Sequence, residues 1–302
     1  MVDRADPVCS IVVRGVLIRY VSFTRPTAKG KVFDLQYHHH GYVSGDPRRG
    51  QPAGTGVDRP EDLPDEIDVL IVGAGPAGHA AAAQLAQFPS VTTRLIERRP
   101  GRLELGQADG IQARSVETFQ AFGFATRITE EAYRITAMAF WKPDPDDPRR
   151  IIRTGMPADD PAGVSEFPHL IVNQARVQDY FAEAMVNGPA RLEPDFGIEF
   201  LGLDVARGDD DPYPVDVQLR YVAGARTGDE RVIRAKYVIG ADGAWSGVRA
   251  AIGRELVGDQ AMHAWGVMDV LAVTDFPDIR TKCAISSQDG GSILLILSLI
   301  HI

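Results

Sequence analysis

The 302-residue chain is poor in cysteine, short of positive charge and without a long apolar run. Its two cysteines, Cys9 and Cys283, stand far apart in unlike surroundings. They suggest neither a disulfide framework nor a metal-ligand cluster, and they fit a reducing, cytoplasmic compartment. Lys and Arg number 32 against 41 Asp and Glu, for a net charge of −9, which argues against nucleic acid or an anionic membrane surface as the main partner. The opening VCSIVVRGVLIRYVSF is interrupted by Arg14 and Arg19, and no small-residue cleavage pattern follows it. It therefore reads as neither export signal nor membrane anchor. No internal repeat is found.

What is present is an ordinary folded composition, 44% hydrophobic, long enough for one large or two modest domains. Residues 41–66 are rich in Pro, Gly and Asp and lack apolar periodicity, so residues 1–65 are expected to be a flexible leader. The run His38, His39, His40 reads as a solvated tract rather than a metal site, because adjacent residues of an extended chain point apart.

The informative stretch is DVLIVGAGPAGHAAAAQLAQFPSVTTRLIERR, residues 68–99. Ile67 to Val72 suits a strand buried on both faces of a parallel sheet. Gly73, Gly75 and Gly78 follow at GxGxxG spacing. The first permits a tight turn, the second lets a pyrophosphate approach the backbone, and the third lets a helix pack on the strand. A helix from Pro76 to Gln87, with Ala77 in its first turn, aims unpaired N–H groups and its dipole at the phosphates. Pro76 costs little there, since its missing donor would be unpaired anyway. Glu97, nineteen residues after Gly78 at the end of the strand TTRLIE, is placed to accept hydrogen bonds from ribose hydroxyls and disfavours a 2′-phosphate. This stretch predicts a dinucleotide site, with NAD and FAD both open.

A second strand, turn and helix, RAKYVIGADGAWSGVRAAIG (234–253), carries Gly240, Asp242, Gly243, Ser246 and Arg249. Taken alone it suits either a second contact with an extended cofactor or a purely structural turn. Together with GQADGIQARSVETFQAFGF (106–124), EFPHLIVNQARVQDYF (166–181) and AWGVMDVLAVTDFPDIRTKCAI (264–285), the two turns resemble the group A flavoprotein monooxygenases, in the phenol 2-monooxygenase and 3-hydroxybenzoate 4-monooxygenase branch. The likeness runs from about residue 66 to about residue 296. It implies FAD as cofactor, NAD(P)H as cosubstrate, and transfer of one oxygen atom from O2 to a phenolic ring. The protein then has to place the ring, help deprotonate its hydroxyl and exclude water.

The resemblance also assigns roles. Asp109 matches an acid near the phenol hydroxyl, where partial burial would raise its pKa enough to accept the proton; an Asp before Gly110 is otherwise a common turn. Gly106, Gln107, Gly110 and Ile111 match a loop lining the flavin ring, Gln174 matches a glutamine contacting FAD, and Arg98 is expected near the cofactor beside Glu97. His169 and Lys282 match positions beside a substrate carboxylate; read without the resemblance they are a satisfied strand histidine and an exposed lysine. The substrate expected is an aromatic hydroxy acid of the 3-hydroxybenzoate type, or phenol.

The expected fold class is α/β: a Rossmann-like FAD-binding domain (66–133 and 166–258) with a β-rich partial substrate domain (134–165 and 259–302), C-terminally truncated relative to the family. Members of the family continue past GGSILLI into further substrate-pocket and FAD motifs, whereas this sequence ends LSLIHI. Impaired FAD retention and turnover are therefore expected of it. Trp141 and Trp265 read as core or interface fillers. The competing functions are an NAD-dependent dehydrogenase, which leaves GQADG and GADGAWSGVR unexplained, and a non-catalytic nucleotide-binding remnant. A homodimer is the default oligomer.

Overall fold

A computed structural model describes residues 59–297 apart from 104–108, 206–210, 260, 263–265, 269, 271 and 289–290, together with the backbone of two strands nearer the start. His38 to His40, Gly106, Gln107 and Trp265 lie outside the described residues.

In chain order the elements begin with β1 (Val8–Val13), β2 (Val16–Val21), β3 (Glu66–Val72), α1 (Pro76–Leu85), β4 (Thr93–Glu97), β5 (Gly110–Ile111), α2 (Ala113–Ala121), α3 (Ala125–Glu131) and β6 (Tyr133–Ile135). They continue with β7 (Met138–Pro143), β8 (Ile151–Gly155), β9 (His169–Ile171), α4 (Gln174–Asn187), β10 (Pro194–Phe196), β11 (Ile198–Val205), β12 (Val215–Tyr221), β13 (Glu230–Gly240), α5 (Gly247–Ala251), β14 (Lys282–Ser286) and β15 (Ser292–Leu295).

A six-stranded sheet ordered β10-β4-β3-β13-β12-β11 forms the centre. Strands β10, β4, β3 and β13 run parallel to their neighbours, and β13, β12 and β11 form an antiparallel meander. The uninterrupted apolar run of β3 follows from its position: Val69 and Ile71 enter one core while Leu70 and Val72 enter the other. β12 alternates instead, burying Val215, Val217 and Leu219 and exposing Asp216 and Gln218, as a strand with one wet face should.

Helices α1 and α4 cover one face of the sheet, and the alanines of α1 set how closely they approach. A Cβ on Gly188, which ends α4, would lie 2.9 Å from the Ala86 methyl, and Ala190 N donates to Ala86 O at 2.9 Å. Larger side chains at either place would push the helices apart.

The segment expected to be a flexible leader as far as residue 65 is packed at its end. Leu63 is buried in the core of the sheet. Arg94, in the middle of β4 and itself buried, donates to the carbonyl oxygens of Pro60, Glu61 and Asp62 and forms a two-pronged pair with Asp195 of β10. Arg59 also pairs with Asp195. A buried guanidinium has to satisfy its donors, and residues 60–62 supply the acceptors, which fixes them despite their loop-like composition.

The β-rich unit forms a sheet ordered β15-β14-β7-β8 around a core of Ala139, Phe276 and Cys283 with Trp141 against it. Trp141 packs against Phe276 with the two rings tilted and donates to Asp278, the filler role expected of it. A smaller sheet, β5-β9-β6, stitches the two units together: β9, from the stretch assigned to the FAD domain, pairs with β6 across the border drawn between residues 133 and 134. That border therefore cuts through a strand. The cause is that β6 exists only by pairing with β9, whose sequence lies more than thirty residues later.

Candidate functional site

The glycine turn after β3 and the glycine turn after β13 meet. Because β13 runs parallel to β3 with Gly240 level with Val72, both strands release their loops at the same edge of the sheet. Ala241 N donates to Val72 O at 2.8 Å. Gly73 adopts φ +100°, and a Cβ there would lie 2.6 Å from the Ala241 carbonyl oxygen. A Cβ on Gly78 would lie 1.9 Å from Gly73 O, so the start of α1 can sit on the end of β3 only with glycine at that position.

Gly75 differs from both. A Cβ there would find no heavy atom within 4 Å. As N-cap of α1, Gly75 supplies no side-chain acceptor, Pro76 follows it, and Ala77 in the first turn is exposed. The positive end of a ten-residue helix thus opens onto free space with its first donors uncapped by any side chain. This cradle fits the pyrophosphate of a dinucleotide: what it lacks is an anion acceptor, and what it leaves open is room.

Glu97, the last residue of β4, is buried and tied into the cradle. Its carboxylate accepts from Ala74 N at 2.9 Å and from Arg99 N at 3.0 Å, and the Arg99 guanidinium closes over it at 3.1 Å. Burial by itself would push the Glu97 carboxyl up; the hydrogen bonds from Arg99 and Ala74, with the Arg99 charge, hold it below its usual range. The arginine expected beside Glu97 was Arg98, whose side chain the structure leaves exposed. Arg99 reaches Glu97 from the bend that follows β4, and nothing in the sequence separates it from Arg98.

Asp242 lies against Gly73, but its carboxylate serves its own turn. One oxygen accepts from Ser246 Oγ and the other from Val248 N at 3.1 Å, while Ser246 caps the first turn of α5 through Arg249 N. Asp242 therefore shapes the loop that presses on the cradle.

A second group assembles around the β5–β9 ladder. Gly110 pairs with Ile171 and Ile111 with Leu170, and Val172 N donates to Asp109 O at 2.8 Å. Asp109 is half-buried at the entry to β5, and Gln174 opens α4 just beyond β9. His169, at the other end of β9, is buried. Its Nδ1 lies 3.1 Å from a carboxylate oxygen of Asp159, and its Nε2 faces β5, 3.5 Å from Gln112 Nε2. Asp159 and Gln112 carry no motif that would single them out in the sequence.

Lys282 begins β14, half-buried, and pairs in register with Met138 of β7. The Ile135–Met138 link therefore has His169 opposite its first residue and Lys282 opposite its last. The structure brings Gly73, Gly75, Ala77, Gly78, Glu97 and Asp242 together at one edge. It brings Asp109, Gly110, Ile111, His169 and Gln174 together on the small sheet. A chain of charged pairs braces the ground between: Arg102, in the loop after β4, binds Asp179 of α4, which also meets Arg176, itself paired with Glu131. Among the described residues, no helix is long and apolar enough to cross a membrane.

Residues 66–298 match the family of the FAD binding domain. The chain is 49% identical over 261 residues to a 3-hydroxybenzoate 4-monooxygenase of Comamonas testosteroni, an alignment covering 86% of this chain and 41% of that protein. It is 31% identical over 226 residues to a phenol 2-monooxygenase of Aspergillus fumigatus, covering 75% of this chain and 36% of that protein. Among solved structures, the flavin-dependent monooxygenase PieE in complex with FAD and substrate superposes with a TM-score of 0.53 at 27% identity, over 65% of this chain and 34% of that one. The chain thus spans about two fifths of the length of the curated relatives it matches.

Proposed function

Because the chain belongs to the family of the FAD binding domain and is similar to a 3-hydroxybenzoate 4-monooxygenase, we propose that it binds FAD at the edge where β3, β4 and β13 end and serves the hydroxylation of a phenolic aromatic. When bound, FAD would supply the redox chemistry of the hydroxylation, with NAD(P)H as the reductant and O2 as the source of one oxygen atom for the ring and one for water. The observation that carries the reading is the contact between the two glycine turns, which leaves the uncapped start of α1 facing open space. No comparison supports a dehydrogenase, and that alternative is set aside.

The chain's own residues have distinct tasks in this reading. The N–H groups around Ala77 and Gly78 hold the pyrophosphate. Glu97 receives the ribose hydroxyls; its four acceptor positions are largely taken by Ala74 and Arg99, so a hydroxyl has to replace part of the Arg99 guanidinium. Asp109, fixed through its carbonyl at the mouth of β5, accepts the phenolic proton, which raises electron density on the ring carbons. Gln174 and the Gly110–Ile111 backbone position the flavin ring, with Gly106 and Gln107 continuing that loop. His169 and Lys282 hold the carboxylate of a 3-hydroxybenzoate-type substrate.

The test is the visible absorption spectrum of the purified 302-residue protein after incubation with FAD and removal of free cofactor. Flavin bands that 3-hydroxybenzoate perturbs, retained below full occupancy as the sequence leads one to expect, are the expected result. A colourless protein overturns the proposal for this chain.

A further inference from the structure

His169 is one of the deepest polar side chains of the small sheet, yet no part of its ring is left to chance. Asp159 meets Nδ1 at 3.1 and 3.3 Å, and Gln112 Nε2 stands 3.5 Å from Nε2. Asp159 is itself held in place by backbone: its N–H donates to Thr136 O at 3.0 Å, and its neighbour Ala158 bridges to Ala137. Thr136 and Ala137 belong to the link that has His169 opposite one end and Lys282 opposite the other. A Cβ on Gly110 would lie 3.7 Å from His169 Nε2, so that nitrogen looks directly onto the strand that Asp109 opens.

Hydrogen-bond polarity favours one protonation pattern. A carboxylate oxygen accepts, so the contact with Asp159 favours a proton on Nδ1, and Gln112 Nε2, 3.5 Å away, faces the lone pair this leaves on Nε2.

We propose that Asp159 is a positioning residue that holds His169 in its Nδ1–H form and so reserves Nε2 for an aromatic carboxylate. The inference rests on the reading above that His169 lies beside the substrate. A carboxylate arriving at Nε2 cannot donate, so a proton from solvent adds to Nε2 and forms an N–H bond to the ligand. The ring becomes imidazolium, Nδ1–H stays on Asp159, and the Asp159 charge balances the new cation. Gln112 yields its place at Nε2. Asp159 touches neither substrate nor cofactor; it acts through His169.

Long-range proton–nitrogen NMR correlation of the 302-residue protein, with the His169 signals identified by their loss in H169Q, tests this without any turnover. Before ligand is added, the wild-type ring is expected to show a protonated Nδ1 and an unprotonated Nε2, whereas D159A, which removes the acceptor of Nδ1–H, lets the Nε2–H form appear. The Nε2–H form in the wild type, or an unchanged pattern in D159A, overturns the proposal. On saturation with 3-hydroxybenzoate both wild-type nitrogens become protonated, and D159N binds it about tenfold more weakly, with the midpoint of thermal unfolding unchanged and D159E restoring part of the affinity. An unmoved His169 signal under saturating ligand overturns the carboxylate half alone, while flavin retention reports separately on the cofactor reading. Should D159A or D159N not fold, the wild-type measurement and D159E still decide the matter.

Discussion

The methyl group that alanine would add at Gly73 would sit 2.6 Å from the carbonyl oxygen of Ala241. Gly73 follows β3 and Ala241 follows β13, so two turns far apart in sequence are interlocked at backbone level. Gly73 also holds φ +100°, a region that side-chain-bearing residues rarely adopt. Gly73→Ala should therefore destabilise the fold by about 1–3 kcal/mol and reduce flavin retention, as read by urea unfolding and by absorbance after cofactor removal. Gly75→Ala, at a position where a Cβ meets nothing, should leave the unfolding midpoint nearly unchanged and act on flavin retention alone.

The Glu97 carboxylate is held below its ordinary value of 4.5 by the donors around it, against the opposing effect of burial. A carboxylate with a depressed folded-state pKa contributes stability that is present above its unfolded pKa and lost as pH falls through the folded one. The unfolding free energy of the wild type should thus exceed that of Glu97→Gln by about 1–3 kcal/mol near pH 7. The gap should narrow as pH is taken below 4.5. A gap independent of pH would mean that the charge of Glu97 contributes nothing and only its shape matters.

Arg94 and Asp195 make a further buried pair in the sheet, and Arg94 holds residues 60–62 as well. Removing one partner strands the other in a buried place, so Asp195→Ala should cost about 3–5 kcal/mol in urea unfolding. It should also open the 59–65 segment to protease, since Arg59 and Arg94 both lose their anchor.

These three sites differ in how far the sequence announced them. The β3 run, the GxGxxG spacing and Glu97 are local patterns, each readable because strand, turn and helix follow one another along the chain. The meeting of the two turns was suggested only by the family resemblance, since nothing in either segment says that β13 pairs with β3. Nothing in the sequence marks Arg94, because its partners come from a proline-rich loop and from a strand a hundred residues on. Asp159 was silent for the same reason: a carboxylate in an acidic loop acquires meaning only when β6 pairs with β9 and sets His169 beside it.

Cys283 supplies a further check on the β-rich unit. It has no exposed surface, and burial, with the nearby charge of Asp278, pushes its thiol up to about 11. The thiolate is the reactive form, so Cys283 should react with a disulfide reagent at neutral pH only at the rate at which the sheet of β14 and β7 opens. Urea below the unfolding midpoint should accelerate the reaction in step with loss of structure. Fast labelling in native buffer would show that this sheet does not close over its core.

Lys282 offers the sharpest separation between substrates. It starts β14 in register with Met138, at the opposite end of the Ile135–Met138 link from the position facing His169, and a cation there has no task toward phenol itself. A charge-assisted hydrogen bond to a carboxylate contributes about 1.5–3 kcal/mol, or roughly 10–100-fold in affinity. Lys282→Ala should weaken 3-hydroxybenzoate by that factor in a titration followed through the flavin spectrum, and should leave the affinity for phenol within about twofold. Lys282→Arg should recover part of the loss, because it restores the charge while changing the reach. Equal weakening of both ligands would place Lys282 in the support of the sheet rather than in carboxylate recognition, and wild-type binding of 3-hydroxybenzoate by Lys282→Ala would move the carboxylate elsewhere in the pocket.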